Sequence, residues 1–186
     1  MKKFLKKIKL IDYLTTYLQI DKQEFLNKLL AITDYGSTSI FSEPFEVFAS
    51  NKNEFKGQVN LDGFKLKRRR KIFDTNFNIA VASGTIKEEN GQLTINTEIN
   101  GFNNFMIVFY IFILIFYSIF IASFSFWDSN DTFFILPFIL IHGIFMSLIP
   151  YFIMRRGVKR MKYELEREFF YLTKDNLEKL SSFQKT

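Results

Sequence analysis

The side chains with which this chain could do chemistry are its lysines and arginines, one histidine and a few carboxylate pairs. No cysteine occurs among the 186 residues, which excludes disulfides, thiolate metal sites and thiol nucleophiles. His142 is the sole histidine, so multi-histidine metal sites are excluded and a Ser-His triad has no support. No Gly-rich phosphate loop, no HExxH and no G-x-S-x-G is present. Glu88 and Glu89 fall beside a turn, where carboxylates are most simply solvated. The expectation is a non-enzymatic protein with no cofactor and no metal.

The cations fall in two notable places. Phe64-Lys65-Leu66-Lys67-Arg68-Arg69-Arg70-Lys71-Ile72 alternates like a strand, which puts Lys65, Lys67, Arg69 and Lys71 on one face. Arg68 and Arg70 share the other face with Phe64 and Leu66. One reading is an anion or lipid-headgroup site on the four-cation face; the competing one is an edge strand guarded by its charges. The second cluster, Arg155, Arg156, Lys159 and Arg160, follows directly on a long apolar run and reads as a juxtamembrane anchor. The net charge of +6 beside apolar blocks points to an anionic lipid surface before nucleic acid, and nucleic acid is not expected.

The elements that must position these groups start with two apolar runs. Residues 105–126 are almost wholly apolar, and 22 residues of helix cover about 33 Å against a hydrocarbon core of roughly 30 Å. Residues 132–154 form a second stretch of 23 uncharged residues. The chain therefore reads as a first transmembrane helix at 102–127, a tight turn at 128–131 and a second transmembrane helix at 132–154. Trp127 and Tyr151 sit where interfacial aromatics belong. Lysine and arginine accumulate on cytoplasmic flanks, so the cluster after Met154 puts both soluble ends inside and the acidic turn outside.

Hairpin geometry carries the reading further. If the turn centres between Ser129 and Asn130, His142 lies level with Tyr117 and Ser118 near mid-membrane. A polar side chain there needs a partner, so an intramembrane contact of His142 with Tyr117 or Ser118 is expected, either as a staple or as a proton-transfer or gating group. Ser118, Ala122 and Ser125 on one span, and Gly143 and Ser147 on the other, permit close packing within the hairpin or between copies. Pro137 and Pro150 are expected to kink the second span near its ends. Neither span carries a run of polar side chains, so any pore would need several copies, and a homo-oligomer is expected.

Residues 1–101 read as a cytoplasmic α+β domain, with two helices over residues 3–32 and about five antiparallel strands over residues 45–99. Phe4, Ile8, Ile11, Leu14 and Leu18 recur at helical spacing. The lysine-rich helix they imply would lie on the inner leaflet or pack on the sheet. The basic start lacks a long apolar region after it and reads as retained rather than cleaved. Asp21 and Glu24 suit the start of a second helix. Asp62-Gly63 and Asn90-Gly91 each separate alternating runs and signal hairpins. Residues 155–186 read as a basic helical tail whose stripe of Val158, Met161, Leu165, Phe169 and Leu172 docks on the sheet or forms a short coiled coil.

The fold class expected is thus an α+β membrane protein: a two-helix hairpin with a small antiparallel sheet preceded by two helices and followed by a C-terminal helix. The layout is similar in organisation to small two-span effectors with a β domain in bacterial antiphage signalling, although there the spans precede the β domain. By function the sequence suits a sensing or binding β domain coupled to an oligomeric membrane-perturbing or channel-like hairpin. The alternative is an accessory subunit that anchors a cytoplasmic complex. A cytoplasmic protein or a small ligand is the candidate partner of the β domain. Abundant Lys, Asn, Phe and Ile fit a bacterial genome rich in A and T, and hence an inner (cytoplasmic) membrane.

Overall fold

The computed structural model describes residues 1–39, 53–69, 79–89, 91–124 and 132–183. In chain order they form α1 (Lys2–Lys7), β1 (Ile11–Leu18), α2 (Lys22–Ala31), β2 (Thr33–Tyr35), β3 (Phe55–Asn60), β4 (Gly63–Arg68), β5 (Val81–Glu89), β6 (Gln92–Asn100), α3 (Asn104–Phe124) and α4 (Thr132–Phe183). The strands make one six-stranded sheet in the order β1-β6-β5-β4-β3-β2. Neighbours are antiparallel except β2 and β3, which are parallel.

The N-terminal region departs from the two-helix expectation for residues 3–32. Ile11–Leu18 is a strand, paired with β6 along its whole length from Ile11↔Asn100 to Leu18↔Leu93. Tyr13, Thr15, Thr16 and Tyr17 are β-branched or aromatic and favour a pleated surface. The helical spacing misleads because Ile11, Leu14 and Leu18 are buried for different reasons. Leu14 and Leu18 face the sheet's core, whereas Ile11 packs with Leu5, Leu10 and Met154 in a separate cluster. The sheet is therefore mixed and six-stranded rather than five-stranded and antiparallel. The strand expected at 45–49 lies outside the described residues. α2 does begin at Asp21, whose carboxylate accepts from the Gln23 and Glu24 backbone N–H groups.

Both hairpins fall at the Gly signals. β3 and β4 close on Asn60↔Gly63, one residue earlier than the Asp62-Gly63 reading, and β5 and β6 close on Glu89↔Gln92. Gly91 has φ of 74°, a left-handed conformation that glycine adopts without penalty.

One face of the sheet is mostly apolar. Phe55, Phe64, Leu66, Ala82, Ile86, Leu93, Ile95 and Ile99 are buried there under α2 and the second half of α4. The tail is not a separate helix: α4 runs unbroken for 52 residues, about 78 Å, through Pro137 and Pro150. Val158, Met161, Leu165 and Phe169 are each at most 3% exposed and dock on the sheet, as their spacing suggested. At about 1.5–3 kcal/mol per buried side chain, that stripe contributes roughly 6–12 kcal/mol as an upper bound. Phe169 meets Phe25 of α2 at 5.6 Å and Phe64 of β4 at 5.9 Å between ring centroids, both edge-on. Gly84 leaves the space that the Phe64 ring occupies.

The first half of α4 and all of α3 are different. Both are long and apolar enough to cross a membrane, and no residue in the most apolar stretch of either is buried. Isoleucine, leucine and phenylalanine lie exposed along both, from Phe105 to Ile121 and from Phe138 to Ile153. Water-soluble monomers rarely expose apolar surface on that scale.

Candidate functional site

The head meets the apolar helices at a crowded junction built from α1, the end of β6 and the middle of α4. α1 ends in a Schellman turn: Leu10 N–H donates to the Leu5 carbonyl at 2.9 Å and Lys9 N–H to that of Lys6 at 3.0 Å. The two leucines framing that turn are buried together, the apolar contact the motif usually carries. Its left-handed position is Lys9, with φ of 59°, where glycine would be easier. Gly101 follows β6, and its N–H donates to the Leu10 carbonyl at 2.9 Å. A methyl group on Gly101 would come within 2.6 Å of Val158 Cγ2 and 2.9 Å of the Met154 carbonyl oxygen, so only glycine admits α4 this close. Asn103 then starts α3 by accepting from the Phe105 N–H at 3.0 Å. Tyr151 of α4 donates to the Ile8 carbonyl at 3.1 Å and ties the same helix to α1.

Beside this junction α1 and α4 enclose a groove of about 650 Å³. Lys6 and Lys9 line it from one side, and Arg155, Arg156 and Lys159 from the other. Lys6 Nζ sits 5.1 Å from the centre of the Tyr13 ring, which holds it in place. Asp12 is the one carboxylate in the lining, and it already accepts from Lys162 at 3.0 Å. The groove thus gathers five cations against one neutralised acid, with Phe152 as apolar wall at the end of the exposed stretch of α4.

Of the residues expected at a juxtamembrane anchor, Arg155, Arg156 and Lys159 come together here. Arg160 turns away and donates to Glu164 at 2.9 Å. Lys6 and Lys9 were missed because reading residues 3–32 as helix scatters the lysines around it. The available signal was the Lys6-x-x-Lys9 pair just ahead of a β-rich run.

The basic strand behaves otherwise. β4 lies between β3 and β5, so it is not an edge strand. Lys65 is exposed, but Lys67 and Arg69 are buried. Lys67 donates to the Ser39 carbonyl at 2.9 Å and Arg69 pairs with Asp34. Lys71 lies outside the described residues. Arg68, on the core face, lies 2.7 Å from Glu164, which is itself buried. Much of this charge therefore serves to fasten β2, β4 and α4 together.

Along the apolar helices, the Tyr117 hydroxyl lies 2.5 Å from His142 Nδ1. With the imidazole neutral and its proton on Nε2, the hydroxyl donates. Phe138 stacks against the imidazole, nearly parallel at 10°. It is Tyr117 and not Ser118 that reaches across, and its ring covers Gly143. Nearer the head, Tyr110 donates to the Ser147 carbonyl at 3.1 Å.

Among the described residues of the head, two groups are shifted from their ordinary values. A hydrogen bond from Lys2 to Glu98, helped by the charge of Glu98, raises the Lys2 ammonium above 10.5. A hydrogen bond to Glu168 raises the Arg167 guanidinium above its ordinary value, and the charges of Glu168, Glu54 and Glu164 add to the effect. Both shifts are upward, so the stabilisation they carry is complete at neutral pH and lost only in strong alkali.

No protein-family model, curated protein or solved structure matches this chain. Among the described residues no group of acids and histidine could hold a metal ion.

Proposed function

We propose that this is a two-span membrane protein whose α+β head lies in the cytoplasm and is coupled to the bilayer hairpin as one rigid lever. The observation that carries this reading is the double nature of α4. Its first half exposes apolar side chains with no protein cover, while its second half buries Val158, Met161, Leu165 and Phe169 in the head. A shift of the sheet must therefore shift the second span. β6 enters α3 after only three intervening residues, Gly101 to Asn103, so the first span is held from the same sheet. The cations after Met154 favour a cytoplasmic head, and the abundance of Lys, Asn, Phe and Ile favours an inner bacterial membrane.

On this reading the head binds a cytoplasmic protein or small ligand, and the spans respond by repacking within a homo-oligomer that perturbs the bilayer. A second reading is an accessory subunit that anchors a complex, favoured by the polar open face of the sheet, where Tyr13, Tyr17, Ser83 and Thr85 are exposed. Induced expression with a potential-sensitive dye separates the two. Collapse of membrane potential with arrested growth supports the effector. Unchanged potential with a co-purifying partner supports the anchor. Recovery of the chain in the soluble fraction contradicts both.

A further inference from the structure

We infer that the groove between α1 and α4 binds the phosphate of a single anionic phospholipid headgroup; the inference rests on the membrane reading above. Three observations converge. Lys6, Lys9, Arg155, Arg156 and Lys159 line one concavity although they lie some 150 residues apart in the chain. None of these five makes an ion pair with a carboxylate among the described residues, whereas Asp12 in the same lining is held by Lys162. A cluster of like charges is repulsive unless something neutralises it, and an anion in the groove does so.

The second observation is size: about 650 Å³ lies within the usual range for a small-molecule site and admits a glycerophosphate group. The third is placement. Phe152 is 55% exposed and forms the wall on the side of the apolar half of α4, while the cations lie toward the head. A headgroup on the cations would leave its acyl chains against Phe152 and the uncovered aliphatic surface beyond it. Polar at one end and greasy at the other, the groove matches an amphiphile better than a free anion. Lys9 is also held in a left-handed conformation that costs about 1 kcal/mol for a residue with a side chain, as strained positions at binding sites often are.

The test uses full-length chain extracted in detergent and placed in phosphatidylcholine nanodiscs with and without phosphatidylglycerol, with native mass spectrometry to count retained lipid. The expected result is one phosphatidylglycerol per chain and no retained phosphatidylcholine. Lys6→Gln with Lys9→Gln should weaken retention about tenfold or more, since each cation near a lipid surface is worth about 1 kcal/mol. Lys3→Gln with Lys7→Gln removes the same charge from α1 outside the groove and should change little. Arg155→Gln with Lys159→Gln repeats the test from α4 and holds if the α1 variant misfolds.

Equal weakening by the two lysine pairs, or equal retention of both lipids, overturns the site in favour of diffuse attraction. Inorganic phosphate binding as tightly as the lipid overturns the lipid assignment. A chain found free in the soluble fraction fails the membrane reading itself, whereas a membrane-bound chain with no lipid preference fails only the groove.

Discussion

At the scale of single residues, two polar contacts carry tests of different size. Tyr117 and His142 meet across the apolar helices at 2.5 Å. Hydrogen bonds of this kind in membranes average about 0.6 kcal/mol and reach about 1.7. A double-mutant cycle of Tyr117→Phe and His142→Leu, read by unfolding in mixed detergent, should give a coupling in that range. A coupling near zero would mean that the two side chains do not hold the helices together. Arg68 and Glu164 are a buried pair, their side chains 12% and 6% exposed. Glu164→Gln should therefore cost about 3–5 kcal/mol in a denaturant melt, because a buried cation is left behind, while Arg68→Met with Glu164→Leu should cost much less. Some of this was legible in the sequence. Equal depth in a hairpin pairs residue 117 with 142 by arithmetic, and strand alternation puts Arg68 on the apolar face. The burial of Lys67 and Arg69 was not legible, because Ser39 and Asp34 reach them from a segment with no period of its own.

At the scale of elements, the chain is organised around one helix with an uncovered apolar half and a half docked on the sheet. Gly101 is where the sheet and that helix come closest. Gly101→Ala places a methyl group against the Met154 carbonyl, which cannot swing aside, and should destabilise the head by about 1–3 kcal/mol. A thermal melt within half a degree of the parent would contradict the close approach. Continuity of α4 has its own test. One alanine inserted between Arg156 and Gly157 rotates the tail by about 100° relative to the apolar half. The stripe from Val158 to Phe169 would leave the sheet or the apolar half would turn, so protease resistance of the head should fall sharply. Unaltered resistance would mean a break in the helix rather than a lever. The tail stripe, both hairpins and the Asp21 cap were readable because each rests on local spacing. β1 was not, since its buried residues answer to two separate clusters and only the ladder with β6, whose partners lie 75 to 89 residues away, reveals it. The parallel β2–β3 pair is equally non-local.

For the whole molecule, the account requires that the head and the far ends of the apolar helices face opposite sides of a bilayer. The proposal draws its energetic support from two uncovered apolar helices of this length, which water would otherwise have to solvate. The proposed orientation rests on Arg155, Arg156 and Lys159, since lysine and arginine accumulate on cytoplasmic flanks. The absence of native cysteine makes the decisive measurement clean. Single-cysteine variants Asn130→Cys, in the connector, and Glu88→Cys, on the head, are exposed in intact cells to a maleimide that cannot cross membranes. The account predicts that Asn130→Cys reacts and that Glu88→Cys reacts only after the cells are opened. Reaction of Glu88→Cys in intact cells, with Asn130→Cys protected, would contradict it.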